Sequence, residues 1–419
     1  MNKCSIVIGS YYGDEGKGHM TDILCAKNSS TLNVRFNGGA QASHTVVTDN
    51  GKRHAFRHFG SGTFSHATTY LSGDFIINPV AFVLEADELE KNYDIFPKVF
   101  VNPNAIVTTP WDMYINQILE RLRGKEKHGS CGFGINETIL RSKNEAFKIT
   151  VKDLNNTSSL ISKLEDIKDR YVTAHLKSEY NIDFVSLNDE DKNKFESYEE
   201  INMYVFFVKE FLKKVSIKEN SILNNFQNVV FEGAQGLLLD KDNKESFPHV
   251  TPTKTGTTNT VKIITDSVYD GEVDVYYMSR CYMTRHGAGP LKNELKEAPY
   301  NNICDLTNVK NEFQGSLRYS YLDLDILISN ILNDMENLIG IPNKKNIYIT
   351  FTCFDEKDNE IMFYYNGKLN AVSKDDYLVT MWEILSHTIH NLTDVLVTDG
   401  PTKDDVFSFK EKYLTCSCY

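Results

Sequence analysis

Short runs of β-branched and aromatic residues recur along the chain: "CSIVIGS" (4–10), "LNVRF" (32–36), "VVF" (229–231), "VDVYYMS" (273–279), "NIYITFTCF" (346–354) and "DVLVT" (394–398). Several are apolar on both faces, and such a strand must be covered on both sides, as strands of parallel sheets are. Helical stretches separate them, such as "PVAFVLEADELEKN" (79–92) and "YLDLDILISNILNDMENL" (321–338). This alternation restricts the chain to an α/β fold, a central, mostly parallel sheet flanked by helices.

Residues 146–225 read differently. "SSLISKLEDIKDR" and "YEEINMYVFFVKEFLKKV" are amphipathic helices joined by the polar "NDEDKNKFES". The expectation is a single domain over 1–419, long enough for a sizeable core, with a helical subdomain at 146–225 whose charge runs are solvated faces.

The net charge of −12 argues against nucleic acid or an anionic membrane as partner, but not against a small phosphorylated ligand met by a local positive site. No run of ~18 apolar residues occurs, and "MNKCSIVIGS" enters a strand directly, so a cytoplasmic protein is expected. The eight cysteines lack CxxC spacing and are expected to be free thiols.

"IGSYYGDEGKGHMTD" (8–22) has the order strand, tight turn, helix, so backbone N–H groups and Lys17 can face an anion. It is not a Walker A loop, because the required first glycine falls at Tyr11 and His19 follows Gly18. Asp14 is the unusual residue. A carboxylate in a phosphate loop repels its ligand unless it holds a metal or takes a proton. A second cluster, "VRFNGGAQASHTVV" (34–47), places His44 in a small-residue loop as a candidate acid or phosphate contact.

With "FEGAQGLLLDKDNKESFPHVT" (231–251) and "TRHGAGPLKNEL" (284–295), these segments resemble, in order, the motifs of the adenylosuccinate synthetase family. The resemblance runs from residue 5 to about residue 405. It implies a P-loop-like phosphate-binding loop and ligation of L-aspartate to IMP with GTP cleavage through a 6-phosphoryl intermediate. Asp14 stands where the family's aspartate removes the purine N1 proton and binds Mg²⁺, and His44 where a histidine stabilises the transferring phosphoryl group. Lys17 joins them as catalytic. Gly13, Glu15, Gly16 and Gly18 fall in the nucleotide-facing loop, and Gly39 in the substrate loop.

Gln235 and Thr251 match IMP contacts. "HGSCGFGI" (128–135) resembles the loop that grips the 5′-phosphate, with Ser130 its hydroxyl, and Arg141 matches the arginine sent across a dimer interface. "TFTCFDEKD" (350–358) resembles the guanine motif, with Asp355 the base acceptor, and "VTDGPTKDD" (397–405) the closing loop, with Thr398 and Gly400. A homodimer is implied.

The chain departs from the family at Tyr11-Tyr12, at Ser43, which replaces a glycine whose carbonyl holds Mg²⁺, and at Cys353, which replaces the guanine-motif lysine. In "NEFQGSLRYSYLD" (311–323) an arginine-rich loop is shortened and only Arg318 aligns with the carboxylate clamp, leaving Arg285 and Lys292 as possible compensators. These changes resemble a phage-type branch that uses dGMP, often with ATP. Asp14 favours IMP, whereas Cys353 and the short loop favour dGMP. A nucleotide-binding protein without catalysis is the third reading, disfavoured because Asp14, Lys17, His44 and Gln235 are retained together.

Overall fold

A computed structural model describes residues 2–124, 132–303 and 317–413. At its centre is a ten-stranded sheet that runs, edge to edge, Val406–Ser408, Leu392–Thr398, Lys345–Thr352, Glu272–Arg280, Lys3–Gly9, Asn228–Glu232, Thr31–Arg35, Thr68–Leu71, Val99–Val101 and Val215–Ile217. All neighbours are parallel except Val406–Ser408, which runs antiparallel to Leu392–Thr398. The first strand of the chain therefore lies inside the sheet, between strands from much later in the sequence.

The period of two along each strand divides the core. Ile6, Ile8, Phe231, Val275 and Tyr277 pack with Ile263, Ile264, Leu327 and Ile331 of the helices Thr258–Ser267 and Leu324–Met335. Val7, Val230, Tyr276 and Met278 pack instead with Met20, Leu24 and Cys25 of the helix Lys17–Ala26. This is the two-sided covering expected of strands with no polar face.

Helix ends follow local chemistry. Pro79–Tyr93 begins after Asn78, whose side chain accepts the Ala81 N–H, and Pro110–Arg123 begins with a capping box between Thr109 and Asp112. Within 146–225 the chain forms the helices Thr157–Asp166, Val172–Tyr180, Asp189–Glu196 and Tyr198–Lys214. Leu160, Leu164, Tyr204 and Phe211 share one core with Phe82, Val101 and Trp111, so these helices pack on the sheet's edge. One correction follows. Val215–Ile217, read as part of the helical stretch, is the edge strand of the main sheet. At three residues, with its middle serine exposed, it is too short to show a strand's period.

Two smaller sheets stand apart: Tyr282–Arg285, Arg318–Asp323, Glu360–Tyr365 and Lys368–Ser373, and the hairpin His44–Val47 with Arg53–Phe56. Among the described residues, Cys4, Cys25, Cys281 and Cys353 are free thiols, and no helix is long and apolar enough to cross a membrane.

Candidate functional site

Five of the recognised motifs leave the carboxyl ends of main-sheet strands: residues 10–16 after Lys3–Gly9, 36–43 after Thr31–Arg35, 233–235 after Asn228–Glu232, 353–357 after Lys345–Thr352, and 399–400 after Leu392–Thr398. Ligands of open α/β sheets bind at that edge.

The first loop is backbone-strained where chemistry is expected. Asp14 has φ 59°, and Gln235 and Cys353 have φ 65° and 59°, values that cost a non-glycine residue of order 1–3 kcal/mol and collect at functional sites. The helix Lys17–Ala26 starts with no side-chain cap, so its first-turn N–H groups and positive dipole end face the loop. A Cβ at Gly9 would run into the Glu15 carboxylate and the Gln235 carbonyl, so only glycine lets these segments converge.

Lys17 and Glu15 are both buried, with Nζ 3.9 Å from Oε2. Burial pushes the Glu15 carboxyl up and the Lys17 ammonium down, each partly offset by the other's charge. Glu15 Oε1 accepts the Tyr11 N–H at 2.6 Å, while Oε2 has no hydrogen-bond partner. The Asp14 carbonyl accepts from Arg280 Nε at 2.5 Å, and its half-exposed carboxylate has His286 Nε2 at 3.5 Å from Oδ2.

His44 meets the loop directly, since a Cβ on Gly18 would lie 2.7 Å from His44 Cβ. Its Nδ1 lies 2.5 Å from Oε1 of the fully buried Glu232, which also accepts the Ser61 N–H at 3.0 Å and the Ser61 hydroxyl. Burial favours a neutral Glu232, but Arg35, His44 and Ser61 outweigh it and hold the carboxyl at about 2. Burial also pushes His44 down, only partly opposed by Glu232, and with Glu232 ionised Nδ1 is the ring nitrogen that donates to it.

Glu232 and Ser61 were not singled out from the sequence. The available signal was a glutamate ending the apolar run "NVVFE", where a buried charge demands partners. Asn37 was missed too. Its side chain exchanges hydrogen bonds with Ala234, donating to the carbonyl at 3.1 Å and accepting the N–H at 2.8 Å, and so holds the turn carrying Gln235.

Gly39 bridges to Ile76, and Thr251 is half-buried with its hydroxyl 3.5 Å from that of Thr253. Beyond the strands Lys345–Thr352 and Leu392–Thr398, Asp355 is exposed and the Thr398 carbonyl accepts the Phe354 N–H at 3.0 Å. Gly400 packs on Asp405, and the Thr402 carbonyl lies 2.7 Å from His19 Nε2, which ties this loop to the helix Lys17–Ala26. The turn that lacks a lysine at Cys353 holds one at Lys357, but its Nζ donates to the Phe354 carbonyl at 2.6 Å. Burial, and then Lys374, push Lys357 down to about 7.

Other expectations change. Arg141 is fully buried and bonds to Asp112, to the Phe147 carbonyl at 2.6 Å and to the Val107 carbonyl at 2.7 Å. These bonds fasten the helix Ile135–Ser142 to the body of its own subunit. Arg318, expected on a substrate carboxylate, is forked onto Glu294 and donates to the Gly287 and Gly289 carbonyls at 3.0 and 2.9 Å. Arg285 donates to the Pro290 and His249 carbonyls, and Lys292 pairs with Asp323 at 2.9 Å. Ser130 and residues 304–316 of the shortened loop region lie outside the described residues.

Among the described residues no three His, Cys, Asp or Glu side chains are disposed to hold a metal. Asp14 shares its loop with the buried carboxylate of Glu15, and Ser43 is half-buried just before His44.

Comparison with known proteins agrees with this geometry. The adenylosuccinate synthetase family model matches residues 6–328. The adenylosuccinate synthetase of Lactobacillus helveticus is 31% identical over 381 residues, covering 87% of this chain and 83% of its own. That of Microcystis aeruginosa is 33% identical over 303 residues, covering 72% and 64%. The fully ligated adenylosuccinate synthetase of Plasmodium falciparum has the same fold, with TM-score 0.70 at 18% identity over 96% of this chain and 99% of that one. The cyanophage S-2L succinoaminodeoxyadenylate synthetase bound to dGMP and dATP superposes less closely, with TM-score 0.58 at 15% identity over 97% and 95%. The chain belongs to the adenylosuccinate synthetase family, ligases that form C–N bonds.

Proposed function

We propose that this protein joins L-aspartate to C6 of IMP with cleavage of GTP, as a cytoplasmic homodimer in purine nucleotide synthesis. The observation that carries this reading is the convergence of Asp14, Lys17, His44 and Gln235 at the carboxyl ends of adjacent strands, with His44 oriented by Glu232.

In this reading Asp14 takes the proton from purine N1, and O6 attacks the γ-phosphorus as the bond to the β-phosphate oxygen breaks. His44 uses Nδ1 for Glu232, which leaves Nε2 to meet the transferring group. Lys17 and the open helix N-terminus stabilise phosphate charge. The aspartate amine then adds at C6 and phosphate departs. Gln235 and Thr251 contact the acceptor, and Asp355, Thr398 and Gly400 border the donor base. The Asp14 carboxylate and the Ser43 carbonyl suit Mg²⁺, which binds through few protein oxygens plus substrate phosphates and would neutralise phosphate charge.

A dGMP acceptor is the second reading, favoured by Cys353 and by the altered 311–323 loop. The test is a substrate matrix with purified protein, Mg²⁺ and aspartate: IMP or dGMP as acceptor, GTP or ATP as donor, product read by mass spectrometry. IMP with GTP is the expected productive pair. Turnover confined to dGMP replaces it with the second reading, and nucleotide binding without phosphate release in any combination overturns both.

A further inference from the structure

His286 belongs to "TRHGAGP", just beyond the strand Tyr282–Arg285, and the chemistry above gives it no task. Both of its ring nitrogens are buried and neither has a hydrogen-bond partner. An imidazole in that condition forfeits hydrogen bonds that water would supply, a cost that calls for an explanation, and a catalytic role is one that accounts for it. The carboxylate it faces is that of Asp14, with Nε2 3.5 Å from Oδ2. This is longer than a hydrogen bond and short enough to become one through a small side-chain movement.

Asp14 needs such a partner. Its backbone is pinned by the left-handed φ and by Arg280 on its carbonyl, yet its side chain remains 38% exposed. A base must present one oxygen along the N1–H direction, and a carboxylate free to rotate does so only part of the time.

We propose that His286 is a positioning residue for Asp14. When substrates close the site, Nε2–H donates to Oδ2 and occupies one of its two lone pairs, which fixes the carboxylate rotamer, leaves Oδ1 for the purine proton and keeps the remaining lone pair of Oδ2 open to a cation. The proposal rests on Asp14 being the base. It concerns a hydrogen-bond donor and requires no proton transfer by His286.

The experiment compares His286→Leu, which fills the space without a donor, with His286→Gln, whose amide N–H reaches about as far as Nε2. Steady-state kinetics with IMP, GTP, Mg²⁺ and aspartate should show kcat down about tenfold or more in the leucine variant, KM for IMP and GTP within about twofold, and most of kcat restored in the glutamine variant. Adding His286→Leu to Asp14→Asn should cost nothing further, because the two act as a unit. An unchanged kcat in the leucine variant, a loss confined to KM, or equal losses in both variants overturns the proposal. If the leucine variant does not fold, His286→Asn replaces it. That amide is too short to reach Oδ2, so equal kcat in the asparagine and glutamine variants overturns the proposal. Full activity in Asp14→Asn alone defeats the base assignment instead, a separate result.

Discussion

Nδ1 of His44 lies 2.5 Å from Oε1 of Glu232, a carboxylate with no exposed surface that also takes two hydrogen bonds from Ser61. The pair fixes the tautomer of His44 and the face it turns to the glycine loop, as a carboxylate behind a catalytic histidine does elsewhere. Glu232→Gln should therefore lower kcat by about 10–100-fold while changing KM for the nucleotides little. Steady-state rates across the substrate series check this, and a kcat within twofold of the parent would remove Glu232 from the reaction.

Arg318 is held by Glu294 in an exposed, forked ion pair. If Arg318 receives a substrate carboxylate, Glu294 competes for the same fork. Glu294→Gln should then lower KM for aspartate about two- to fivefold, whereas Arg318→Lys should raise it about tenfold. Aspartate saturation curves at fixed nucleotide decide this, and an unmoved KM in both variants places the amino-acid site elsewhere.

Arg141 and Asp112 form a pair with no exposed surface. Removing one partner leaves an uncompensated buried charge, which costs about 3–5 kcal/mol. Arg141→Met should lower the unfolding midpoint accordingly without raising KM for the acceptor in the folded fraction. Denaturant unfolding and kinetics on the same preparation separate this from a phosphate-binding role, which would appear in KM.

Acid stability should depend on Glu85. Its carboxylate accepts the Arg57 and His58 N–H groups at 2.7 and 2.8 Å, with the His54 and His58 rings at 3.8 and 3.6 Å. Burial alone would raise it, but these partners hold it at about 2, below the ordinary 4.5. A depressed carboxyl adds stability that is complete above pH 4.5 and lost as pH falls towards 2, up to about 3 kcal/mol. Burial pushes His58 down too, so the unfolded chain takes a proton below 6.5 that the folded chain refuses, and stability again falls with falling pH. Unfolding midpoints from pH 7 to pH 3 should drop less steeply in Glu85→Gln than in the parent. Parallel curves contradict this.

The inner strands were legible because Lys3–Gly9, Asn228–Glu232 and Glu272–Arg280 are apolar on both faces. Val99–Val101 and Val215–Ile217 were not, since three residues carry no usable period. At the site, the residues embedded in long motifs, Asp14, Lys17, His44 and Gln235, did come together. Arg141 misled because a sequence position cannot say whether a guanidinium meets a ligand or its own Asp112. Glu232 was overlooked because only the fold shows that the end of its strand abuts His44.

The central claim is that Asp14 prepares purine O6 to accept the γ-phosphoryl group. It is tested most directly without aspartate, using GTP labelled with oxygen-18 in the β–γ bridge, together with IMP and Mg²⁺. Reversible transfer frees the β-phosphate of GDP to rotate, so label should scramble into non-bridging positions, only when IMP is present and not in Asp14→Asn. Scrambling that proceeds equally in Asp14→Asn, or none in the parent enzyme with IMP bound, would contradict the account.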